Sequence, residues 1–131
     1  MIENAIYQRL ANFVGLTALV STRITPHLMT QDTAYPAVTY FVVAAPRETA
    51  MGADPGIVHG RVQVDAWGLT YISARDVAEQ IRAALERYRG TLDTTVILDT
   101  FLEDMRDEPD EFVNGSIIRR RMTEWTFHYR E

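Results

Sequence analysis

The chain has 131 residues and no cysteine, and 47% of its residues are hydrophobic while 24% are charged. This length and composition predict one packed domain over residues 1–131 and exclude disulfide frameworks, thiolate metal sites and cysteine nucleophiles. The net charge of −5 and the pI near 5.2 disfavour stable nucleic-acid binding, because phosphate recognition favours a basic surface.

The amino terminus, MIENAIYQRL, carries Glu3 and has no basic region ahead of an apolar stretch. A secretory signal needs both features, so we expect an intracellular product. No apolar run approaches the roughly 18 residues that cross a bilayer, and we therefore expect no membrane partner.

The amino-terminal third predicts one helix and two strands. Apolar residues at helical spacing predict a helix over residues 3–14, with Gly15 as its left-handed cap. A short edge strand is predicted near residues 22–25. The run from Ala37 to Ala45 is rich in β-branched and aromatic residues, which is typical of a strand in the main sheet.

A strand with one buried face is predicted from Val58 to Trp67. Its valines and Ala66 alternate with Arg61, Gln63 and Asp65. Because successive side chains of a strand point to opposite faces, the first set should face the core and the second should face solvent.

The connection between these two strands, residues 47–57, is longer than the usual hairpin loop of about two to five residues. It contains two glycines and an Asp-Pro-Gly turn signal but no periodicity. We interpret it as a mobile assembly loop that is ordered by a neighbouring subunit, the alternative being an excursion without a partner. The candidate contact residues of this assembly loop are Arg47, Glu48, Met51 and Asp54.

A second helix is predicted from Thr70 onward. Its apolar residues from Ala74 to Tyr88 follow helical spacing, and Thr70 or Ser73 provides the N-cap. Gly90 follows directly after the end, where a C-terminal cap is expected.

The carboxyl-terminal part predicts a long hairpin. After a loop at residues 91–94, strands are predicted over Val96–Arg106 and Ser116–Tyr129, with a tight Asn-Gly turn between them. Aromatic residues alternate with polar ones on the last strand, so the aromatic side should pack on the helices. The complete pattern predicts an α+β domain in the order αββαββ, an antiparallel sheet of about four strands with two helices packed on one face.

The acidic segment from Glu103 to Glu111 does not have the ligand order of a calcium loop, because Glu108-Pro109 stands where a glycine is required. We interpret it as a solvated, charged hairpin end. The basic run from Arg119 to Arg121 can lie across from it, so we favour cross-strand ion pairs over a phosphate site.

Catalytic and cofactor signatures are absent from the sequence. His27, His59 and His128 occur singly, and neither glycine-rich nucleotide motifs nor Gly-x-Ser-x-Gly is present. We therefore predict that the protein is not an enzyme and has no catalytic residue, no metal site and no cofactor.

Diffuse motifs along nearly the whole chain carry a family resemblance. The most specific is RVQVDAWGLTYISARDVAEQIRAAL, Arg61 to Leu85, in which a strand ending in Asp-x-Trp passes through a Thr-Tyr turn into an alanine-rich helix. Supporting segments are MIENAIYQRL, LVSTRITP, YPAVTYFVV and the acidic hairpin that runs to WTFHYRE. The chain resembles the tail completion or tail terminator family of long-tailed bacteriophages and phage-derived particles.

The resemblance implies a structural virion protein of the tail at the head-tail junction, assembled in the host bacterial cytoplasm. It implies a ring, commonly a hexamer, that caps the tail tube protein, ends its polymerisation and meets the head-tail connector protein. Double-stranded DNA would pass through the lumen without specific binding, because like charges repel. The candidate lumen residues are Glu103, Asp104, Asp107, Glu108, Asp110 and Glu111. The family implies no catalytic residues.

Two other classes of protein stay open at this point. One is a small soluble α+β domain that binds a ligand or acts as an enzyme, which a concave pocket would favour. The other is an adaptor that dimerises by pairing sheet edges, which a two-fold stoichiometry would favour.

Overall fold

The computed structural model describes five stretches of the chain: residues 2–26, 34–48, 51–52, 56–113 and 115–130. Three helices and a six-stranded sheet lie within these stretches. No helix in this described part is long and apolar enough to cross a membrane.

Two short helices open the chain, and a longer helix follows the third strand. The helices are α1 (Ile2–Ala11), α2 (Val14–Val20) and α3 (Tyr71–Leu85). The strands are β1 (Ile24–Pro26), β2 (Ala37–Ala44), β3 (Ile57–Gly68), β4 (Gly90–Leu92), β5 (Thr95–Val113) and β6 (Ser116–Arg130).

The strands form one mixed sheet in the order β1-β2-β3-β6-β5-β4. Neighbours are antiparallel except β1 and β2, which are parallel. The sheet curls into a half-barrel, and α1 contacts both edge strands, β1 and β4. The predicted antiparallel sheet of about four strands with two helices, in the order αββαββ, was therefore wrong.

The edge strands explain part of the difference. An edge strand forms close to the predicted residues 22–25, but it runs parallel to β2. The sequence predicts a loop at residues 91–94; instead β4 pairs with the start of β5 around a tight turn, in which Asp93 has a φ of 55°. Aspartate tolerates this left-handed conformation, so it can form a turn without glycine.

The predicted first helix is two helices, because α1 ends at Ala11 and α2 begins at Val14. Gly15 does not cap α1 but lies inside α2. A Cβ at Gly15 would collide with the Gln80 side-chain oxygen unless that side chain moved. Glycine therefore allows α2 to lie close to α3 at this point.

One hydrophobic core lies between the helices and the sheet. The predicted inward faces of β3 and β6 are confirmed, since these residues are at most 2% exposed: Val58, Val62, Val64, Ala66, Trp125, Phe127 and Tyr129. The predicted apolar stripe of α3 is buried in the same cluster, with Val77, Ile81 and Leu85 at 0%. The predicted cap of α3 is also confirmed, because Thr70 Oγ1 accepts a hydrogen bond from the Ser73 amide at 3.1 Å.

Polar contacts around Asp99 hold the end of α3 on β5. Arg87 Nη2 and Arg89 Nη2 lie 2.6 and 3.2 Å from Asp99 Oδ2. The next residue, Thr100, donates its hydroxyl to the Leu85 carbonyl. The hydrogen bond from Arg87, reinforced by those from Arg89 and the Thr100 amide, lowers the pKa of Asp99 to about 2.

We expect the Asp99 carboxylate to make stability depend on pH between about 4 and 2. Its pKa in the folded protein is below its usual value of 3.8, so its contribution is complete above that value and is lost as the pH falls toward 2. Asp99→Asn should therefore flatten the decline of the unfolding free energy across this window, measured by urea denaturation at several pH values. Asp93→Asn, which removes an exposed carboxylate, is the control and should keep the wild-type slope. An unchanged slope in Asp99→Asn would contradict the prediction.

Candidate functional site

Two candidate contact surfaces lie at opposite ends of β3. The strand begins at Ile57, where the assembly loop returns to the sheet, and its pairing with β6 ends where Gly68 lies beside Arg119. At about 3.3 Å per residue, this 12-residue strand separates its ends by roughly 36 Å. The described base of the assembly loop and the tip of the β5–β6 hairpin therefore lie far apart.

The base of the assembly loop is held against β3. Arg47 forms a β-bridge with Val58, and the Glu48 amide donates to the Ile57 carbonyl at 2.9 Å. Glu48 Oε1 also lies 2.6 Å from His59 Nε2. The ladder therefore continues beyond β2, and the loop starts later than the sequence predicts.

The four candidate residues of the assembly loop differ in how available they are for contact with a partner protein. Arg47 and Glu48 both have partners within the chain. Met51 is fully exposed, and Asp54 lies outside the described residues. Met51 is therefore the described candidate most available to a partner protein.

Cross-strand ion pairs join the acidic segment of β5 to the basic run of β6, as predicted. Arg119 Nη1 lies 2.9 Å from Asp110 Oδ2, and Arg121 Nη1 lies 3.5 Å from Asp107 Oδ1. Opposite charges across a ladder stabilise strand pairing. The acidic segment is thus part of the strand, and β5 extends past its predicted end to Val113.

Arg120 is the centre of a polar network on the sheet face turned away from the helices. Its Nη1 lies 3.7 Å from Asp65 Oδ2, its Nη2 lies 3.8 Å from Glu108 Oε2, and its guanidinium lies 5.1 Å from the Trp67 ring centroid. Gln63 Nε2 donates to Asp65 at 3.1 Å. Asp65 is only 3% exposed, so its predicted solvent-facing position was wrong. Long side chains of neighbouring residues cover Asp65. The alternation of apolar and polar residues along β3 alone does not reveal this burial.

The remaining lumen candidates have different surroundings. Arg106 lies between two of them, 3.0 Å from Glu108 Oε1 and 2.6 Å from Asp104 Oδ2, and these hydrogen bonds raise the pKa of Arg106. Glu103 is exposed at a β-bulge, while the Glu111 backbone is paired with β6. Six carboxylates and four arginines give the part of the hairpin from residue 103 to residue 121 a formal net charge of −2.

The histidines that occur singly in the sequence are partly brought together by the fold. His59 and His128 are direct cross-strand partners, with ring centroids 4.3 Å apart and an edge-on arrangement. His27 lies outside the described residues. Within the described ranges, no group of three or more histidine, aspartate or glutamate side chains is arranged to hold a metal ion.

Exposed apolar side chains gather at the hairpin end, which sequence reasoning missed. Phe112 and Ile117, a cross-strand pair beside the turn, are 76% and 41% exposed. At the start of α3, Leu69, Tyr71 and Ile72 are 53%, 49% and 59% exposed. We call these five residues the distal patch. The sequence signal that could have revealed them is the presence of bulky apolar residues next to turn and cap residues, where polar side chains are usual.

Both halves of the distal patch lie on the helix side of the sheet. Ile117 shares its face of β6 with Arg119 and Arg121, because alternate residues of a strand point the same way. Arg121 Nη1 donates to Tyr71 Oη at 3.4 Å, which places this face beside α3. A cleft of about 100 Å³ lies between the start of α3 and the hairpin strands, and its lining residues are Tyr71, Ala74, Asp107, Glu108, Asp110, Arg119 and Arg120.

Exposed apolar side chains at both ends of one curled sheet favour a class of protein that works through contacts with other proteins, since exposed apolar patches mark such sites. The sequence profile of tail completion protein gp17 matches residues 4–123. The chain belongs to the tail completion protein gp17 family. It is a structural protein of the phage-type virion tail.

Solved structures share the fold over nearly the full length. A chain from the virion of a native gene transfer agent (GTA) particle is 16% identical with a TM-score of 0.69, and the match covers 97% of this chain and 92% of that one. A second structure, whose description states no function, is 14% identical with a TM-score of 0.56, covering 96% and 92%. A search of curated proteins finds no match.

Proposed function

We propose that the protein forms a ring, commonly of six copies, on the end of the tail tube. The ring ends tube polymerisation and joins the tail to the head-tail connector protein, and double-stranded DNA passes through its lumen. The observation that carries this proposal is the family match over residues 4–123. The likeness to a chain of the GTA virion supports it at the level of fold.

The separation of the two contact surfaces supports a joining role. A ring subunit that also joins the tail to the connector needs one surface toward neighbouring copies and another toward proteins outside the ring. The assembly loop and the distal patch meet this need, because they lie at the two ends of β3. We assign the assembly loop, with the exposed Met51, to contacts outside the ring.

The hairpin charges support a lumen through which DNA passes without being held. Each of the four arginines between residues 103 and 121 lies within 4 Å of at least one carboxylate, so these cations are already compensated. The remaining charge of −2 per subunit repels phosphate. The residues concerned are the six carboxylates of the predicted lumen set.

The proposed role is structural and not enzymatic, and two observations disfavour the alternatives. The cleft of about 100 Å³ beside α3 is smaller than typical small-molecule pockets, which measure roughly 300–1,000 Å³, and this disfavours a small-molecule site at that place among the described residues. Pairing of two sheets through the β5 edge is disfavoured by three register shifts and by Pro109, which has no amide hydrogen to donate.

Cells that assemble the particles without this protein should accumulate unjoined heads and tails with tubes of uncontrolled length. Electron microscopy of lysates measures both the tube lengths and the fraction of joined particles. Met51→Ser should support roughly tenfold fewer joined particles than wild type, which corresponds to a contact of about 1.4 kcal/mol. Val14→Ser, which alters an exposed residue of α2, is the matched control and should restore joining fully. Normal tubes and normal joining without the protein would refute the proposed function.

A further inference from the structure

We propose that the distal patch is the contact between neighbouring copies of this chain. The tip pair Phe112 and Ile117 of one copy packs on Leu69, Tyr71 and Ile72 of the next copy. This inference rests on the ring of the proposed function and names the surface through which the ring closes.

The hairpin tip extends beyond the strand that supports the rest of the hairpin. Pairing of β6 with β3 stops at Arg119, whereas β6 and β5 stay paired through Phe112 and Ile117 to Val113 and Ser116. Among the described residues, the tip is therefore a ribbon of two strands. Such ribbons are marginally stable in water, and a surface that covers their apolar side stabilises them.

The exposed area of the distal patch fits a protein contact. With about 150–250 Å² for each large side chain, the exposed fractions of its five residues amount to roughly 500 Å². The largest apolar patch of a typical monomer measures about 300–600 Å² and is often functional. A standard interface buries about 1,600 Å² in total, so the distal patch supplies roughly a third of one.

A second copy of this chain is the partner that binds the distal patch, because the two halves of the patch are unlike and complementary. The tip projects and stands beside the acidic strand, where the Asp110 side chain is paired with Arg119 at 2.9 Å and is still 46% exposed. The α3 half carries Arg75 one turn beyond Tyr71, where its side chain is paired with Asp76 at 3.4 Å and is still 48% exposed. Apolar side chains thus meet apolar side chains, while an acidic strand meets a cation. Contacts between unlike surfaces of identical subunits close into rings when the rotation permits.

The absence of cysteine makes disulfide cross-linking a direct test, because introduced thiols have no competing partner. Purified Phe112→Cys and Ile72→Cys chains, mixed and oxidised, should form disulfide-linked pairs that neither variant forms alone. Val14→Cys mixed with Ile72→Cys is the control and should not cross-link. Val14 is 79% exposed, which closely matches Phe112 at 76%.

Native mass spectrometry of the unmodified protein separates this inference from the proposed ring. Cross-links together with a ring mass support both, whereas a ring mass without cross-links overturns the contact and leaves the ring standing. Cross-links with a mass of two chains support the contact and overturn the ring. A monomer without cross-links, or a Phe112→Cys chain that cross-links to a different virion protein in assembled particles, overturns the contact.

Phe112→Ser tests the same contact without introducing a thiol, through the mass of the assembly. It should convert the ring to monomers and leave the melting temperature of the monomer unchanged, because the side chain is largely exposed. Val14→Ser should keep the ring. A Phe112→Ser protein that retains the full ring mass would count against the proposed contact.

Discussion

Trp125→Ala is expected to lower the free energy of unfolding by about 3–5 kcal/mol, among the largest effects of any single substitution in this chain. The Trp125 side chain is 1% exposed, and its Nε1 donates to Thr123 Oγ1 at 2.8 Å. Thr123 in turn donates to the Val64 carbonyl at 2.6 Å. The substitution therefore leaves a cavity in the core and removes one bond of a buried chain. Urea denaturation followed by circular dichroism measures the change.

Trp125→Phe is the matched control, because it keeps an aromatic ring while it removes the indole donor. Trp125→Phe should lower the free energy of unfolding clearly less than Trp125→Ala does. Thr123→Val tests the hydrogen bonds separately and should cost about 1–3 kcal/mol, since it leaves buried polar groups unsatisfied. A loss of less than about 1 kcal/mol in Trp125→Ala would show that the core does not close over this side chain.

Arg120→Met is expected to lower the free energy of unfolding by about 3 kcal/mol, which is the lower end of the range for a broken buried ion pair. The substitution removes the cation that lies between the carboxylates of Asp65 and Glu108. The Asp65 side chain is only 5% exposed, so water compensates this loss poorly. Chemical denaturation of the variant and wild type gives the difference in unfolding free energy.

A double-mutant cycle shows whether the cost comes from the ion pair. Asp65→Leu combined with Arg120→Met removes both charges and should recover most of the loss, because apolar replacements of a buried pair are often close to neutral. Arg75→Met, at an exposed arginine, is the control and should change stability by less than about 0.5 kcal/mol. Strict additivity of the two substitutions would contradict the network.

Features that depend on neighbours in sequence could be predicted. The buried faces of β3 and β6 follow from strict alternation, and the start of α3 follows from one threonine before a helical stripe. The ion pairs between the acidic segment and the basic run were also predictable. The pairing of Val113 with Ser116 leaves only a short connection, which brings these two segments opposite each other.

Features that depend on distant pairings could not be predicted. The parallel pairing of β1 and the contact of α1 with both edge strands are set by the curl of the whole sheet. Asp65 is buried by Arg120, which lies far along the chain, so its own strand gives no sign of the burial. The distal patch depends on where β3 ends relative to the hairpin. The hydrophobic pattern of the sequence does not predict the residue at which that pairing ends.

The central position of β6 has a consequence for when a subunit becomes fit for assembly. β6 is the sixth strand along the chain, yet it lies between β3 and β5 and joins the two halves of the sheet. A nascent chain that has not yet produced β6 cannot complete the sheet, because its earlier strands have no central partner. Chains interrupted before β6 also lack one side of the hairpin. The topology therefore acts as a quality check during synthesis, since only chains translated through β6 can complete both the sheet and the hairpin.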